Sequence, residues 1–172
     1  EGDDNTAVGY NALAGITEGE KNVAIGKDAM SFGTVTGNRN MAVGFNALNR
    51  ITEGSGNVAI GGQVFSALTD GNKNVGIGRM AGIDNDSGSA GTNAITTGDF
   101  NTYIGAEADP SNANAQNETV IGYGTTGKGD NTVTIGNSSV TEVYLSEDKG
   151  ATVYAGNLSG TGSISGFDAN LN

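Results

Sequence analysis

The chain has 172 residues, including 30 Gly and one Pro, and only 6% of its residues are aromatic, so its side chains supply little bulk for an ordinary globular core. A formal net charge of -11 with only eight Lys and Arg disfavours nucleic acid and anionic membrane surfaces as partners. Cys and His are absent, which removes thiolate chemistry and the commonest acid–base and metal-binding side chain. No apolar run approaches the ~20 residues of a membrane span, so membrane insertion is not expected.

From its first residues the chain repeats a five-residue motif with the pattern Asn, variable, small, Ile or Val, Gly. The clearest copy is Asn22-Val23-Ala24-Ile25-Gly26. The motif closes at Gly9, Gly26, Gly44, Gly61, Gly78 and Gly105, and two looser copies close at Gly122 and Gly136. These positions are mostly 17 residues apart, once 18, once 27 and finally 14. A fixed period of this kind indicates a repeat architecture in which each repeat is one structural unit.

Each repeat divides into three parts with separate physical roles. A Gly three residues before the Asn, such as Gly19, favours a turn. The alternation of aliphatic and small residues in Val23-Ala24-Ile25 predicts a very short strand. The apolar pair that follows the closing Gly, as in Ala29-Met30, predicts a second short strand.

The sequence therefore predicts an all-β fold, a parallel β-solenoid or β-roll of about eight coils over residues 1–136. Equivalent residues of successive coils should stack, since parallel strands pair at ~4.8 Å. We expect an axial ladder of asparagines, formed by Asn5, Asn22, Asn40, Asn57, Asn74 and Asn101. We expect one continuous interior column, formed by Val8, Ile25, Val43, Ile60, Ile77, Ile104, Ile121 and Ile135. So thin a core also predicts oligomerisation.

The repeat between Gly78 and Gly105 contains ten extra residues relative to the 17-residue norm. Solenoids accommodate insertions as loops, and such loops often bind partners. The candidate receptor-contact residues are Asp84, Asn85, Asp86, Ser87 and Ser89. A neutral surface loop is the alternative.

The same residues resemble the start of a Ca²⁺ loop, but Ile95 stands where the bidentate Glu belongs, so no cofactor is expected and weak Ca²⁺ binding is an alternative.

Two further patterns suggest chemistry, and both have simpler explanations. The glycines of residues 122–127 match a dinucleotide fingerprint, yet no helix pattern follows, so a tight turn between coils is favoured. Glu53 and Asp70 occupy one offset on adjacent coils, with Glu18 two coils before Glu53. At ~5 Å such a pair resembles a retaining glycosidase, but in solvated turns both carboxylates stay ionised. No catalytic or metal-binding residue is therefore assigned.

The end of the chain departs from the repeat. Alternating apolar and polar residues around Glu147-Asp148-Lys149-Gly150 predict a β-hairpin at 137–156 that caps the last coil. Residues 157–172 are rich in Gly, Ser and Asn and predict a connector or a short stem.

The repeated motif with its following Ala-aliphatic pair resembles the head repeats of trimeric autotransporter adhesins, the YadA-like head, and related repeats in phage tail fibres. The resemblance covers about residues 2 to 136. The sequence of residues 5–13, Asn-Thr-Ala-Val-Gly-Tyr-Asn-Ala-Leu, is more similar to the tail-fibre repeats. Only the last spacing, 14 residues, is near that of the adhesin head.

The resemblance implies a left-handed β-roll, a homotrimer and extracellular attachment. We expect a structural tail-fibre segment of a virion that binds or spaces a cell-surface glycan or protein receptor and joins further fibre or particle proteins. The head of an adhesin on a bacterial outer surface is the alternative, and a polysaccharide-cleaving tailspike is an alternative of another class.

Overall fold

The computed structural model describes residues 2–83 and 93–145. Eight strands of three residues form one parallel sheet in sequence order. They are β1 (Thr6–Val8), β2 (Val23–Ile25), β3 (Met41–Val43), β4 (Val58–Ile60), β5 (Val75–Ile77), β6 (Thr102–Ile104), β7 (Thr119–Ile121) and β8 (Val133–Ile135). The chain is thus a β-solenoid of about 7 turns. No helix long and apolar enough to cross a membrane occurs in the described ranges.

In the described residues each coil contains only one strand, so the prediction of a second strand per coil is wrong. The apolar pair after the closing Gly lies in a turn instead. Its second member adopts the left-handed conformation, with φ of 55° at Leu13, 49° at Met30 and 48° at Leu48. The turn still pairs between coils, since the Leu13 N–H donates to the Ala29 carbonyl at 3.0 Å. The left-handed backbone bends the coil, which is incompatible with an extended strand.

The core of each coil is built from the middle residue of the strand and the apolar residues of the turns. Ala24, Ala42 and Ala59 are fully buried. They face larger side chains such as Met30 and Leu48, which are also fully buried. A small residue fits the strand in these coils because the coil is narrow and its opposite wall supplies the bulk.

The predicted interior column lies on the outside of the single chain, which corrects the sequence-based expectation. Strand alternation points the middle residue inward and therefore turns the first and third residues outward. The register does align the third residues across all eight strands. Seven of them are 36% to 56% exposed, from Ile121 to Val8, and Val43 is half-buried. The column is Val8, Ile25, Val43, Ile60, Ile77, Ile104, Ile121 and Ile135.

The asparagine at the start of each motif connects its coil to the next one. The Asn74 N–H donates to Asn57 Oδ1 at 3.0 Å, and the Asn57 Nδ2 donates to the Gly71 carbonyl at 2.8 Å. The same pair of bonds recurs along the stack, with main-chain donors 2.8 to 3.0 Å from the side-chain oxygens. The ladder comprises Asn5, Asn22, Asn40, Asn57, Asn74 and Asn101.

The core around Phe65 departs from the pattern of Ala in the strand and Leu or Met in the turn. A larger side chain in one coil is matched by a smaller one in the next. Phe65 replaces the usual Leu or Met, and Gly76 replaces the Ala of the next strand. A Cβ at Gly76 would lie 2.6 Å from Phe65 Cε2. Tyr103 then fills the next strand, with its ring 6.0 Å from that of Phe65 in an edge-to-face arrangement. The large rings are thus accommodated by a glycine between them.

The region after the last strand is described only in part. No strand occurs in residues 137–145, the described beginning of the predicted capping hairpin 137–156. The rest of that hairpin and the predicted connector 157–172 lie outside the described residues, so both stay predictions. Residues 141–145 belong to a second unit of the chain and are exposed.

Replacing Asn57 by Ala should lower the free energy of unfolding by ~3 kcal/mol, because the buried Asn74 N–H and Gly71 carbonyl each lose a partner. Denaturant unfolding of the variant and the parent measures this difference. Asn114→Ala, which removes an exposed side chain bonded to Thr97, is the control and should change stability by less than about 0.5 kcal/mol. Equal stability of Asn57→Ala and the parent would contradict a stabilising role for the ladder.

Replacing Gly76 by Ala restores the residue found in the preceding coils, yet it should destabilise the chain by ~1 to 3 kcal/mol through overpacking against Val64 and Phe65. Phe65→Leu alone should also destabilise, because it leaves a cavity. The double variant should be more stable than the sum of both effects predicts, by ~0.5 to 3 kcal/mol. Additive effects in this double-mutant cycle would show that the two positions are not coupled.

Candidate functional surfaces

The outward-facing first and third residues of β1 to β8 form one continuous surface, here called the outer sheet face. Only Val, Ile, Met and Thr occupy these positions in the eight described strands. Met41 is 40% exposed and Ile60 is 38% exposed. Hydrophobic residues scattered singly on a surface are ordinary, but an uncharged and mostly apolar array across a whole sheet is not.

Aromatic side chains extend this apolar surface along one edge. The residue after the closing Gly is Tyr10, Phe45 or Tyr123 in three coils, and each of these rings is about half exposed or more. The Lys27 ammonium lies 6.0 Å from the Tyr10 ring centroid and 5.9 Å from that of Phe45. It therefore interacts with the two rings of the neighbouring coils through cation–π contacts.

A second hydrogen-bonded ladder, here called the outer ladder, lies two residues before the asparagines. The Asn38 N–H donates to Ser55 Oγ at 3.0 Å, the Ser55 N–H donates to Asn72 Oδ1 at 3.0 Å, and the Asn72 N–H donates to Asp99 Oδ1 at 2.6 Å. In the outer ladder, each side chain accepts a hydrogen bond from a main-chain N–H of the preceding coil. In the asparagine ladder, each side chain accepts one from a main-chain N–H of the following coil. The sequence analysis missed it because the residue type varies, although every member is a short polar acceptor.

A groove beside the outer ladder is lined by both charged and aromatic residues. Its volume is about 420 Å³, and its lining includes Arg39, Gly56, Lys73, Asp99 and Phe100. The residues just before the asparagines share a left-handed backbone, with φ of 58° at Arg39, 71° at Gly56 and 56° at Lys73. The Lys73 ammonium lies 5.0 Å from the Phe100 ring centroid. The sequence analysis did not identify this groove.

A fully buried carboxylate, Glu118, takes the place of Asn at the end of the asparagine ladder. Its N–H donates to Asn101 Oδ1 at 2.8 Å. Its carboxylate accepts from the Tyr103 hydroxyl and the Ser111 N–H, both at 3.1 Å, and from the Gly129 N–H at 3.0 Å. Burial, followed by the charge of Glu118, raises the pKa of Tyr103 well above its ordinary value. Complete burial gives this pair a structural role, because no substrate reaches it.

The other carboxylates singled out in the sequence lie on the surface of the described coils. Glu18, Glu53 and Asp70 are exposed, and Asp70 accepts hydrogen bonds from the Thr52 and Thr69 hydroxyls at 2.8 and 3.1 Å. No group of three or more carboxylates that would hold a metal ion occurs in the described ranges. The candidate receptor-contact residues Asp84, Asn85, Asp86, Ser87 and Ser89 lie outside them.

Comparison of the chain with protein-family models, curated proteins and solved structures found no match. Functional inference therefore rests on the surfaces described above.

The Tyr103 pKa predicts a loss of stability in alkali. Above pH ~10 the phenol ionises in the unfolded chain but stays protonated in the folded one, so the free energy of unfolding should fall by ~1.4 kcal/mol per pH unit from this group. Tyr103→Phe should remove that part of the slope and lower stability at neutral pH, since Glu118 loses a donor. Denaturant unfolding at several pH values compares the two proteins. Identical slopes would contradict the prediction.

Proposed function

We propose that this chain is a segment of a homotrimeric attachment fibre, similar to phage tail fibres, whose solenoid carries or spaces receptor-binding surfaces. The observation that carries the proposal is the outer sheet face, an uncharged apolar array on a chain with net charge -11. Such a face is unfavourable in water and requires a partner.

A second copy of the chain fits the outer sheet face better than an unrelated partner does. The exposed Ile and Val side chains repeat once per coil, at a spacing of ~4.8 Å. Another copy carries the same array with the same spacing, and rotation about an axis parallel to the solenoid keeps equivalent coils at one height. Threefold rather than twofold symmetry, and left-handed coiling, are proposed from the resemblance to fibre and adhesin repeats.

The proposed role is attachment without catalysis, outside the cell, as part of a virion tail fibre. The insertion around residues 84–89 is proposed as a receptor contact, because regular coils present nearly the same surface at every level. An adhesin head on a bacterial outer surface is the second candidate, favoured by the same apolar face. A polysaccharide-cleaving spike is disfavoured because Glu53 and Asp70 are exposed to water rather than enclosed in a pocket.

Sedimentation of the purified protein tests the assembly, and the expected result is a folded trimer. Ile60→Asp should dissociate it, because the substitution places a charge in the proposed interface. The coil itself should stay folded, since Ile60 is already 38% exposed in one chain.

Phe32→Asp is the matched control, because Phe32 is 69% exposed and lies outside every strand. This variant should remain trimeric. A stable, folded monomer formed by the parent protein, or equal dissociation of both variants, would contradict the proposal.

A further inference from the structure

The groove beside the outer ladder combines features that a flat solenoid surface lacks. The residue immediately before each ladder asparagine lies on the surface, and in successive coils these residues form a column. In the fourth coil the column residue is Gly56. Its neighbours in the column are Arg39 on one side and Lys73 on the other. The missing side chain opens a gap between two cations whose backbones are roughly 10 Å apart, two coils at the parallel-strand spacing.

Positive charge is concentrated here against the trend of the whole chain. Of the eight Lys and Arg in the sequence, Lys21, Arg39 and Lys73 lie in this one column. Lys21 pairs with Glu20 at 3.4 Å, whereas no ion pair involves Arg39 or Lys73 in the described residues. Asp99, the carboxylate of the groove, accepts two hydrogen bonds from Asn72, at 2.6 Å from its N–H and 3.1 Å from its Nδ2.

The walls of the groove are polar and fixed in position. Ser55 and Asn72 each accept a main-chain N–H of the preceding coil, so the outer ladder holds their side chains in place. Phe100 closes the end of the groove, with its ring 54% exposed and the Lys73 ammonium against it. Hydroxyl, amide and aromatic groups beside cations that have no ion-pair partner among the described residues are the chemistry that binds a sugar bearing an acid group.

We propose that this groove binds an anionic saccharide, whose acid group lies over Gly56 between Arg39 and Lys73. The arginine offers a planar pair of N–H donors to a carboxylate, and the lysine offers a second charge from the opposite side. Linked sugar residues extend along the column towards Phe100. A nucleic acid does not fit, because its phosphates need more cations than the chain provides. The ligand assignment rests on the attachment role proposed above.

Calorimetric titration of the assembled protein with a tetrasaccharide of galacturonic acid tests the proposal. We expect one saturable site per chain, weakened at high salt, and no binding of neutral maltotetraose. Arg39→Gln and Lys73→Gln should each weaken binding about tenfold or more, since each loses a charge-assisted interaction. Arg50→Gln makes the same change in net charge outside the groove and should leave affinity unchanged.

Gly56→Asn tests the gap itself without removing a charge. Asn occupies the same left-handed column at Asn117 and Asn131, with φ of 51° and 59°. A Cβ at Gly56 would lie 3.5 Å from Lys73 Cγ, an ordinary contact, so the variant should fold. It should nevertheless weaken binding about tenfold, because its side chain fills the space proposed for the acid group.

Deletion of residues 84–93, the insertion proposed as a receptor contact, should leave the affinity for the tetrasaccharide unchanged. Absence of binding, an equal effect of Arg50→Gln, or equal binding of tetraglutamate or maltotetraose would overturn the groove proposal. Loss of binding only in the deletion variant would overturn it as well and assign the ligand to the insertion. Sedimentation of each protein reports on assembly separately, so a trimer that does not bind refutes the groove alone.

Discussion

The hydrogen bond from the main-chain N–H at the start of each strand to the asparagine side chain of the preceding coil sets the register of the whole stack. Asn57, Asn74 and Asn101 are fully buried, and each side chain also donates to a main-chain carbonyl of the next coil. A slip by one residue would leave these buried groups unpaired and would turn the small middle residues outward. The asparagine ladder therefore determines which face of every strand is available to a partner.

The core shows how a repeat tolerates exceptions. Phe65 is followed by Gly76 in the next coil, Tyr103 then occupies the space above Gly76, and the Tyr103 hydroxyl requires a buried acceptor. Glu118 supplies that acceptor and ends the asparagine ladder. These residues lie in successive coils, so each exception is accommodated by a neighbour. A substitution at one of these residues is therefore expected to reduce stability mainly through lost contacts with the neighbouring coil.

The period and the first strand of each coil were predictable from the sequence, because every coil must repeat the same contacts, whereas the predicted second strand is a turn. Asn22 and Ala24 indicated the ladder and the short strand, and the structure has both. The position of Ile25 was predicted wrongly, because hydrophobic residues usually point inward and the sequence alone does not show that a thin coil has room only for Ala24. The left-handed turn at Met30 was also missed, since aliphatic residues rarely adopt that conformation.

The groove was less predictable because it depends on what differs between coils. Arg39, Gly56 and Lys73 share no residue type, so the groove that they line becomes visible only when the coils are stacked. The outer ladder was missed for the same reason, as Ser55 and Asn72 use different atoms to accept equivalent bonds. Repetition predicts the scaffold, whereas recognition depends on the positions that do not repeat.

The surface column formed by the residue before each ladder asparagine, which contains Arg39, carries side chains of very different chemistry. Its backbone keeps φ near 60° whether the residue is acidic, basic, aromatic or an amide, as at Asp4, Lys21, Phe100 and Asn117. These side chains are exposed, so no core contact depends on which of them is present. A substitution in this column therefore changes the surface chemistry of one coil and leaves the core contacts of that coil intact.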